Sequence, residues 1–247
     1  MKGIILAGGT GTRLSPLTKV TNKHLLPIGK IPMILHSVNK LVEADVTDIM
    51  IITGTEHMGD MITLLGSGAD YGCEFTYRVQ DRPDGIAGAL SLCEDFCNTS
   101  DCVVILGDNI FEGSLSKAVR EFEAKAISSE TPQCMLLLKE VEDPHRFGVA
   151  TVKDNKITKI VEKPKNPDTN LCVTGIYLYD KNVFSFVKSL KKSNRGEYEI
   201  TDVNNFYIQN GSASFEILTG WWTDAGTHQS YQNANALAMA REKVDEE

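Results

Sequence analysis

The sequence predicts an α/β fold in which parallel strands are joined by helices. Short β-branched or apolar runs alternate with amphipathic stretches through the first half of the chain. The apolar run Gly3–Leu6 passes directly into a glycine-rich turn, Gly8-Gly9-Thr10-Gly11-Thr12-Arg13. The 247 residues, 42% of them hydrophobic, suffice for a substantial core, which predicts one domain with an appended subregion.

Taken in order, strands are expected at Gly3–Leu6, Asp48–Ile52, Phe75–Val79 and Val103–Leu106. Amphipathic spacing predicts helices near Met33–Glu43, Gly59–Leu65, Ile86–Phe96 and Leu115–Ala126. After the strand Cys134–Leu138 the pattern changes. Gly148–Lys153 and Lys156–Val161 flank Asp154-Asn155, a turn-forming pair, and predict a hairpin. Val173–Tyr179 is a further strand, and helices follow near Asn182–Lys191 and Asp202–Asn210. The strand Phe215–Leu218, the segment Trp221–Asp224 and a helix from about His228 to Lys243 close the chain, with a frayed Glu-rich end expected after Val244. No internal repeat, low-complexity tract or Pro/Ser-rich linker interrupts this order.

Charge is unevenly placed. The formal net charge is −8, yet Lys2, Arg13, Lys19, Lys23, Lys30 and Lys40 all precede the first acidic residue, Glu43. A cationic end on an acidic protein points to a polyanionic small ligand and away from a nucleic-acid coat or a membrane patch. The chain has no 18-residue apolar run, and Ile4-Ile5-Leu6-Ala7 is too short for a signal peptide, so a cytoplasmic protein is expected. Six cysteines include no C-x-x-C pair and read as buried reduced thiols; five scattered histidines lack metal-ligand spacing.

The first turn reads as a phosphate cradle. Glycines without Cβ let several backbone N–H groups converge on one anion, and Arg13 adds a charge that does not titrate. A packing turn is the bland alternative. A dinucleotide fingerprint would need glycine where Leu14 stands, and the Gly-Lys-Ser/Thr of a Walker loop occurs nowhere. In parallel sheets, residues just after strands carry the chemistry. There stand Gln80, with donors and an acceptor for a planar base edge, and Asp108, a carboxylate in reach of a ligand or metal. A satisfied loop amide and a turn or helix cap are the respective alternatives. Asp224 precedes a tight turn in which Thr227 could cap the last helix alone; Lys163 could be a solvated charge; Arg195 precedes a helix with an acidic start.

Together and in this order, the motifs resemble the sugar-1-phosphate nucleotidyltransferases, most closely the glucose-1-phosphate thymidylyltransferases. The resemblance rests on Leu6-Ala7-Gly8-Gly9-Thr10-Gly11-Thr12-Arg13-Leu14, Lys23-His24-Leu25-Leu26-Pro27, Gln80 with Pro83-Asp84-Gly85, Leu106-Gly107-Asp108-Asn109, Arg146-Phe147-Gly148-Val149, Glu162-Lys163-Pro164, Val173-Thr174-Gly175-Ile176-Tyr177 and Asp224-Ala225-Gly226-Thr227. It implies a Rossmann-like, mostly parallel sheet flanked by helices, the nucleotide-diphospho-sugar transferase fold. One domain would divide into a nucleotide-binding core over about 1–130, a sugar-phosphate-binding portion over 131–226 and a C-terminal helix over 227–247.

The activity implied is Mg²⁺-dependent reaction of dTTP with α-D-glucose 1-phosphate to give dTDP-glucose and pyrophosphate, for deoxysugar and cell-surface polysaccharide synthesis. Leu6, Ala7, Gly8, Gly9, Gly11, Thr12, Arg13, Lys23, Gln80, Gly85 and Asp108 would bind the nucleotide. Asn109, Gly148, Glu162, Lys163, Val173 and Arg195 would bind the sugar phosphate, and Asp108 with Asp224 would hold Mg²⁺. Arg13, Lys23 and Lys163 would be catalytic. A homo-oligomer, dimer or tetramer, is implied. Phe147 stands where the family often has tyrosine, and the family's longer members continue past the last helix into regions linked to regulation. UTP- or CTP-dependent transfer is the nearest alternative activity, and a non-catalytic nucleotide-sugar sensor a further one.

Overall fold

The computed structural model describes residues 1–128 and 133–245. In chain order the strands are β1 (Lys2–Ala7), the two-residue β2 (Pro27–Ile28) and β3 (Ile31–Pro32), β4 (Asp48–Gly54), β5 (Glu74–Gln80), β6 (Cys102–Leu106), β7 (Asn109–Phe111), β8 (Cys134–Glu140), β9 (Gly148–Lys153), β10 (Lys156–Glu162), β11 (Leu171–Tyr179), β12 (Ala213–Ile217) and β13 (Trp222–Asp224). The helices are α1 (Met33–Glu43), α2 (Met58–Leu65), α3 (Ile86–Ser91), α4 (Glu94–Cys97), α5 (Ser116–Ser128), α6 (Val183–Ser189), α7 (Ile200–Gln209) and α8 (His228–Asp245).

A nine-stranded sheet in the order β10-β9-β11-β6-β1-β4-β5 forms the centre, with β8 on β11 and β12 on β8. The parallel arrangement expected of the first half holds for β6, β1, β4 and β5. Long connections carrying helices separate these strands, as parallel neighbours require. The second half is antiparallel around β11, which pairs β6, β8 and β9. The sheet is therefore mixed, and its hairpin lies where Asp154-Asn155 predicts it, between β9 and β10.

Both faces are covered, which is why β1 reads as an unbroken apolar run. Ile4 and Leu6 point into one core with Val104, Leu136 and Tyr179; Ile5 and Ala7 point into the other with Ile51, Ile105 and Phe122. A third cluster, Ile28, Met33, Ile110, Ala225, Ala234 and Ala238, seats α8. The single helix expected over Ile86–Phe96 is two, because Leu92 and Cys93 donate to Ala89 and Leu90 and tighten the turn between α3 and α4. Strand β7 was not expected at all: it exists by pairing with β13, Asn109 opposite Asp224. Five of the six cysteines are buried and all are free. Of the end expected to fray, residues 246–247 lie outside the described residues. Among the described residues no helix is long and apolar enough to cross a membrane.

The β9–β10 turn gives the first prediction. Asp154 and Asn155 adopt φ of 48° and 58°, left-handed values that a β-branched side chain resists. Asn155→Gly is expected to hold or raise the urea midpoint, and Asn155→Val to lower stability by about 1–2 kcal/mol. Equal midpoints for the two variants would contradict this.

Candidate active site

A cleft of ≈ 610 Å³ opens at the carboxyl ends of β1, β5 and β6 and is walled on its far side by β9, β10, β11 and the start of α7. It forms where β11 changes neighbours. Cys172 and Val173 pair with β9, whereas Ile176 to Tyr179 pair with β6. At the break, Gly175 N–H donates to Asn109 Oδ1 at 2.8 Å and the Thr174 hydroxyl to Leu137 O at 2.8 Å, so side chains satisfy this N–H and this carbonyl where the ladder is interrupted.

Of the residues expected to bind nucleotide, Leu6, Gly8, Gly9, Arg13, Lys23, Gln80, Gly85 and Asp108 line this cleft. Those expected to hold sugar phosphate, Asn109, Gly148, Glu162, Lys163, Val173 and Arg195, line it too, as does Asp224. Ala7, Gly11 and Thr12 are not among the lining residues. Ala7 is fully buried beside Thr53 of β4, Gly11 carries the turn at φ 65° with its carbonyl accepting from Thr18, and Thr12 is exposed.

Lys23 is set by a short 3-10 turn, Lys23–Leu25, whose cap is Asn22. Asn22 Oδ1 accepts from His24 N at 2.9 Å and from its ring Nδ1 at 2.7 Å, while Asn22 Nδ2 reaches Ala7 O at the end of β1. Burial, with Lys23 adding to it, pushes the His24 pKa down to about 3, so the imidazole is neutral. Lys23 Nζ meets Asp108 Oδ2 at 2.5 Å. Burial by itself would raise the Asp108 pKa, but Lys23 and a hydrogen bond from Asn109 hold it well below the usual carboxylate range.

Asp224 has another partner. Arg146 Nη2 reaches its two oxygens at 2.8 and 3.0 Å, and Arg146 Nη1 reaches Asp143 at 2.7 Å. The guanidinium lies over the Phe147 ring, 5.0 Å from its centre; Phe147 packs edge-on against Trp222 at 5.2 Å, and Trp222 Nε1 donates to Asn109 Oδ1 at 2.9 Å. Burial raises the Asp224 pKa to about 6, with Asp108 adding to it and Arg146 opposing. Asp224 does not cap α8: Thr227 does, its hydroxyl accepting from Ser230 N at 3.2 Å.

Asp108, Asp224 and Arg13 face one point. A methyl group built on Gly226 would lie 3.0 Å from Arg13 Nη2, 3.4 Å from Asp224 Oδ2 and 3.5 Å from Asp108 Oδ2. Only a residue without Cβ leaves this cradle clear. Two carboxylates fit a hard divalent cation that completes its shell with water and ligand phosphates. Among the described residues no three His, Cys, Asp or Glu side chains are grouped to hold a metal alone.

At the mouth of β5, Gln80 Nε2 donates to Asp84 Oδ1 at 3.2 Å, and Gly85, at φ 102°, passes so close to Tyr198 that a Cβ there would lie 2.5 Å from its carbonyl oxygen. Across the cleft, Glu162 accepts from the Thr201 hydroxyl at 2.7 Å and lies 3.6 Å from Lys163 and 3.5 Å from Arg195. Arg195 also reaches Glu197 at 2.6 Å and Glu199 at 3.7 Å. Lys163 sits at φ 42° immediately before Pro164, a backbone state costly for a non-glycine residue. Its N–H donates to Phe147 O at 2.9 Å, which ties β10 to the segment before β9.

The nucleotidyl transferase family model matches residues 2–241. The chain belongs to this family. It is 40% identical to the glucose-1-phosphate thymidylyltransferase of Neisseria meningitidis over 248 residues, covering 99% of this chain and 84% of that one. It is 41% identical over 237 residues to the enzyme of that name from Xanthomonas campestris, covering 94% of this chain and 79% of that one. A solved Bacillus anthracis structure, a candidate glucose-1-phosphate thymidylyltransferase in complex with sucrose, is 58% identical and superposes with a TM-score of 0.91 over 97% of this chain and 95% of that one.

In this nucleotidyl transferase, several cleft residues escape sequence reasoning. Arg146 and Thr201 contact Asp224 and Glu162, partners 78 and 39 positions away, and Trp222 reaches Asn109 across 113. The motif Arg146-Phe147-Gly148-Val149 marked the region, but no local signal tied Arg146 to Asp224.

The raised Asp224 pKa makes a prediction about stability. An acid at about 6 when folded and near 3.8 when unfolded contributes stability that is full below about 3.8 and lost as pH rises through about 6. Asp224→Asn removes this loss. Its melting temperature relative to wild type should therefore be higher at pH 8 than at pH 4; a difference that does not change with pH would refute the assignment.

Proposed function

We propose that this chain transfers dTMP from dTTP to α-D-glucose 1-phosphate, giving dTDP-glucose and pyrophosphate, with Asp108 and Asp224 holding Mg²⁺. The observation that supports this best is the grouping of charge in one cleft: Arg13 and Lys23 beside the converging carboxylates Asp108 and Asp224, and Lys163 with Arg195 around Glu162. The names of relatives about 40% identical over most of their length point to the same reaction.

A phosphate oxygen of the sugar phosphate, already deprotonated near neutral pH, attacks the α-phosphorus of dTTP. A new P–O bond forms as the bond to the bridging oxygen of the β-phosphate breaks, and that oxygen leaves with the electron pair as pyrophosphate. No catalytic base is needed, so the task is to neutralise and align groups that repel each other. Arg13 and Lys23 hold the triphosphate and the departing pyrophosphate. Lys163 and Arg195 hold the attacking phosphate. Gln80 and the backbone at Gly85 read the thymine edge; Asn109, Glu162, Gly148 and Val173 hold the glucose. Mg²⁺, which Asp108 and Asp224 would hold, would supply charge neutralisation.

The same reading gives about 1–130 the nucleotide and 131–226 the sugar phosphate, with 227–247 as a closing helix. It places the protein in the cytoplasm as a homo-oligomer, dimer or tetramer, that supplies dTDP-sugar for deoxysugar and cell-surface polysaccharide synthesis.

The test is pyrophosphate release from a matrix of five nucleoside triphosphates against several sugar 1-phosphates with Mg²⁺; dTTP with glucose 1-phosphate should give the highest kcat/KM. Release from no pair would end the proposal. Arg13→Ala should lower kcat by about 10²-fold, the size seen when one donor to developing charge is removed, with little change in glucose 1-phosphate KM. Lys163→Ala and Arg195→Ala should instead raise that KM more than the KM for dTTP. Asp108→Asn should shift the Mg²⁺ titration to higher concentration; an unaltered titration would remove Asp108 from metal binding.

A further inference from the structure

Five lysine and arginine side chains line the cleft: Arg13, Lys23, Arg146, Lys163 and Arg195. The proposed reaction uses four of them. Arg146 is left over, and it is placed on Asp224 with both carboxylate oxygens engaged, at 2.8 and 3.0 Å. One nitrogen, Nη2, lies against both oxygens and so takes the position a divalent cation held by this carboxylate would use. Arg146 is also held from behind, by Asp143 at 2.7 Å and by the face of Phe147, so it has a place to remain once Asp224 is given up.

We propose that Arg146 is the resident counter-ion of Asp224, which it surrenders only when a divalent cation arrives with the nucleotide. This rests on the assignment of Asp224 as a metal ligand. Without a cation, a carboxylate with a side chain 16% exposed beside Asp108 would have only the weaker pull of Arg13, and Arg146 supplies the direct partner. The consequence is an order of binding. Bare metal must displace Arg146 with nothing but a carboxylate gained, so the empty protein binds it weakly. Metal carried on a triphosphate brings phosphate ligands of its own and meets Arg13 and Lys23 as well. Arg146 is a positioning residue in this scheme, acting on the reaction through Asp224.

The test uses Mn²⁺ as probe, followed by loss of the free-ion EPR signal on titration with whole protein at pH 8.0 without nucleotide. Arg146→Gln should bind Mn²⁺ about tenfold more tightly than wild type, since truncating one partner leaves the buried charge to the metal. Arg146→Lys, one ammonium in place of a planar group that reaches Asp143 and Asp224 from separate nitrogens, should lie between the two. The gain should vanish in Arg146→Gln combined with Asp224→Asn. A folded Arg146→Gln protein that binds Mn²⁺ no more tightly than wild type overturns the proposal, and so does a gain that survives Asp224→Asn. Should Arg146→Gln fail to fold, the lysine variant decides: affinity above wild type supports the proposal and equal affinity overturns it. Wild-type protein that neither retains Mn²⁺ with dTTP nor releases pyrophosphate sinks the underlying metal assignment, whereas wild type that does both without a gain in the variants sinks the counter-ion role alone.

Discussion

Two carboxylates at the floor of a cleft, Asp108 and Asp224, have side chains only 15% and 16% exposed, and burial works against the charge of each. Nearly everything around them answers that constraint. Lys23 lies 2.5 Å from Asp108, and Arg146 Nη2 meets both oxygens of Asp224. The two answers are unequal. Lys23 outweighs the burial of Asp108, which stays ionised well below the usual range. Arg146 divides its charge between Asp224 and Asp143, so burial and the neighbouring Asp108 prevail and Asp224 rises to about 6. Pairs of acids whose environments separate their pKa values are a recurring mark of working sites.

The fold makes such a site possible by splitting its sheet. In the parallel half, β1, β5 and β6 deliver Leu6, Gln80 and Asp108 to one edge with little more than strand and turn geometry. The opposing wall needs a different device, because β11 would otherwise continue beside β6 and fill the space. Its change of partner at Thr174-Gly175 opens the cleft, and Asn109 holds the break by accepting from Gly175 and Trp222 while donating to Asp108. A buried amide that serves three groups at once makes their positions depend on one another. Replacing Gly175 would place a Cβ 2.6 Å from Asn109 Nδ2, so this strand break and the carboxylate share one tolerance.

What could be read from the chain was local. An apolar strand before a glycine-rich turn, an acid just past β6 and a two-residue turn between β9 and β10 are patterns whose causes lie within a few residues. Helix α1 was expected over Met33–Glu43 and spans those residues, because its apolar spacing and the following turn are both in the sequence. The features that escaped depend on distant partners. Strand β7 has no strand character apart from β13, the α3–α4 break is a choice between i−3 and i−4 hydrogen bonds, and the Arg146–Asp224 pair spans 78 positions. The motif residues Ala7, Gly11 and Thr12 show the converse: Ala7 is the buried last residue of β1 and Thr12 faces outward, so the motif is longer than the part that faces the cleft.

The titratable inventory of the cleft fits a reaction without proton transfer by the protein. His24 lies within the cleft wall, but its imidazole is pushed down to about 3 and its ring Nδ1 is engaged by Asn22, so it orders the turn that carries Lys23 and takes no part as a base. The Tyr177 phenol is driven upward by burial and stays protonated. Outside the cleft lining, burial likewise raises the Cys93 and Cys172 thiols, so neither is a nucleophile at neutral pH. What remains able to act is charge: guanidinium and ammonium groups, the ionised Asp108, and Asp224, which is ionised above about 6. Such a cleft contributes alignment and electrostatics, and those suffice when the attacking group is a phosphate that needs no base to deprotonate it.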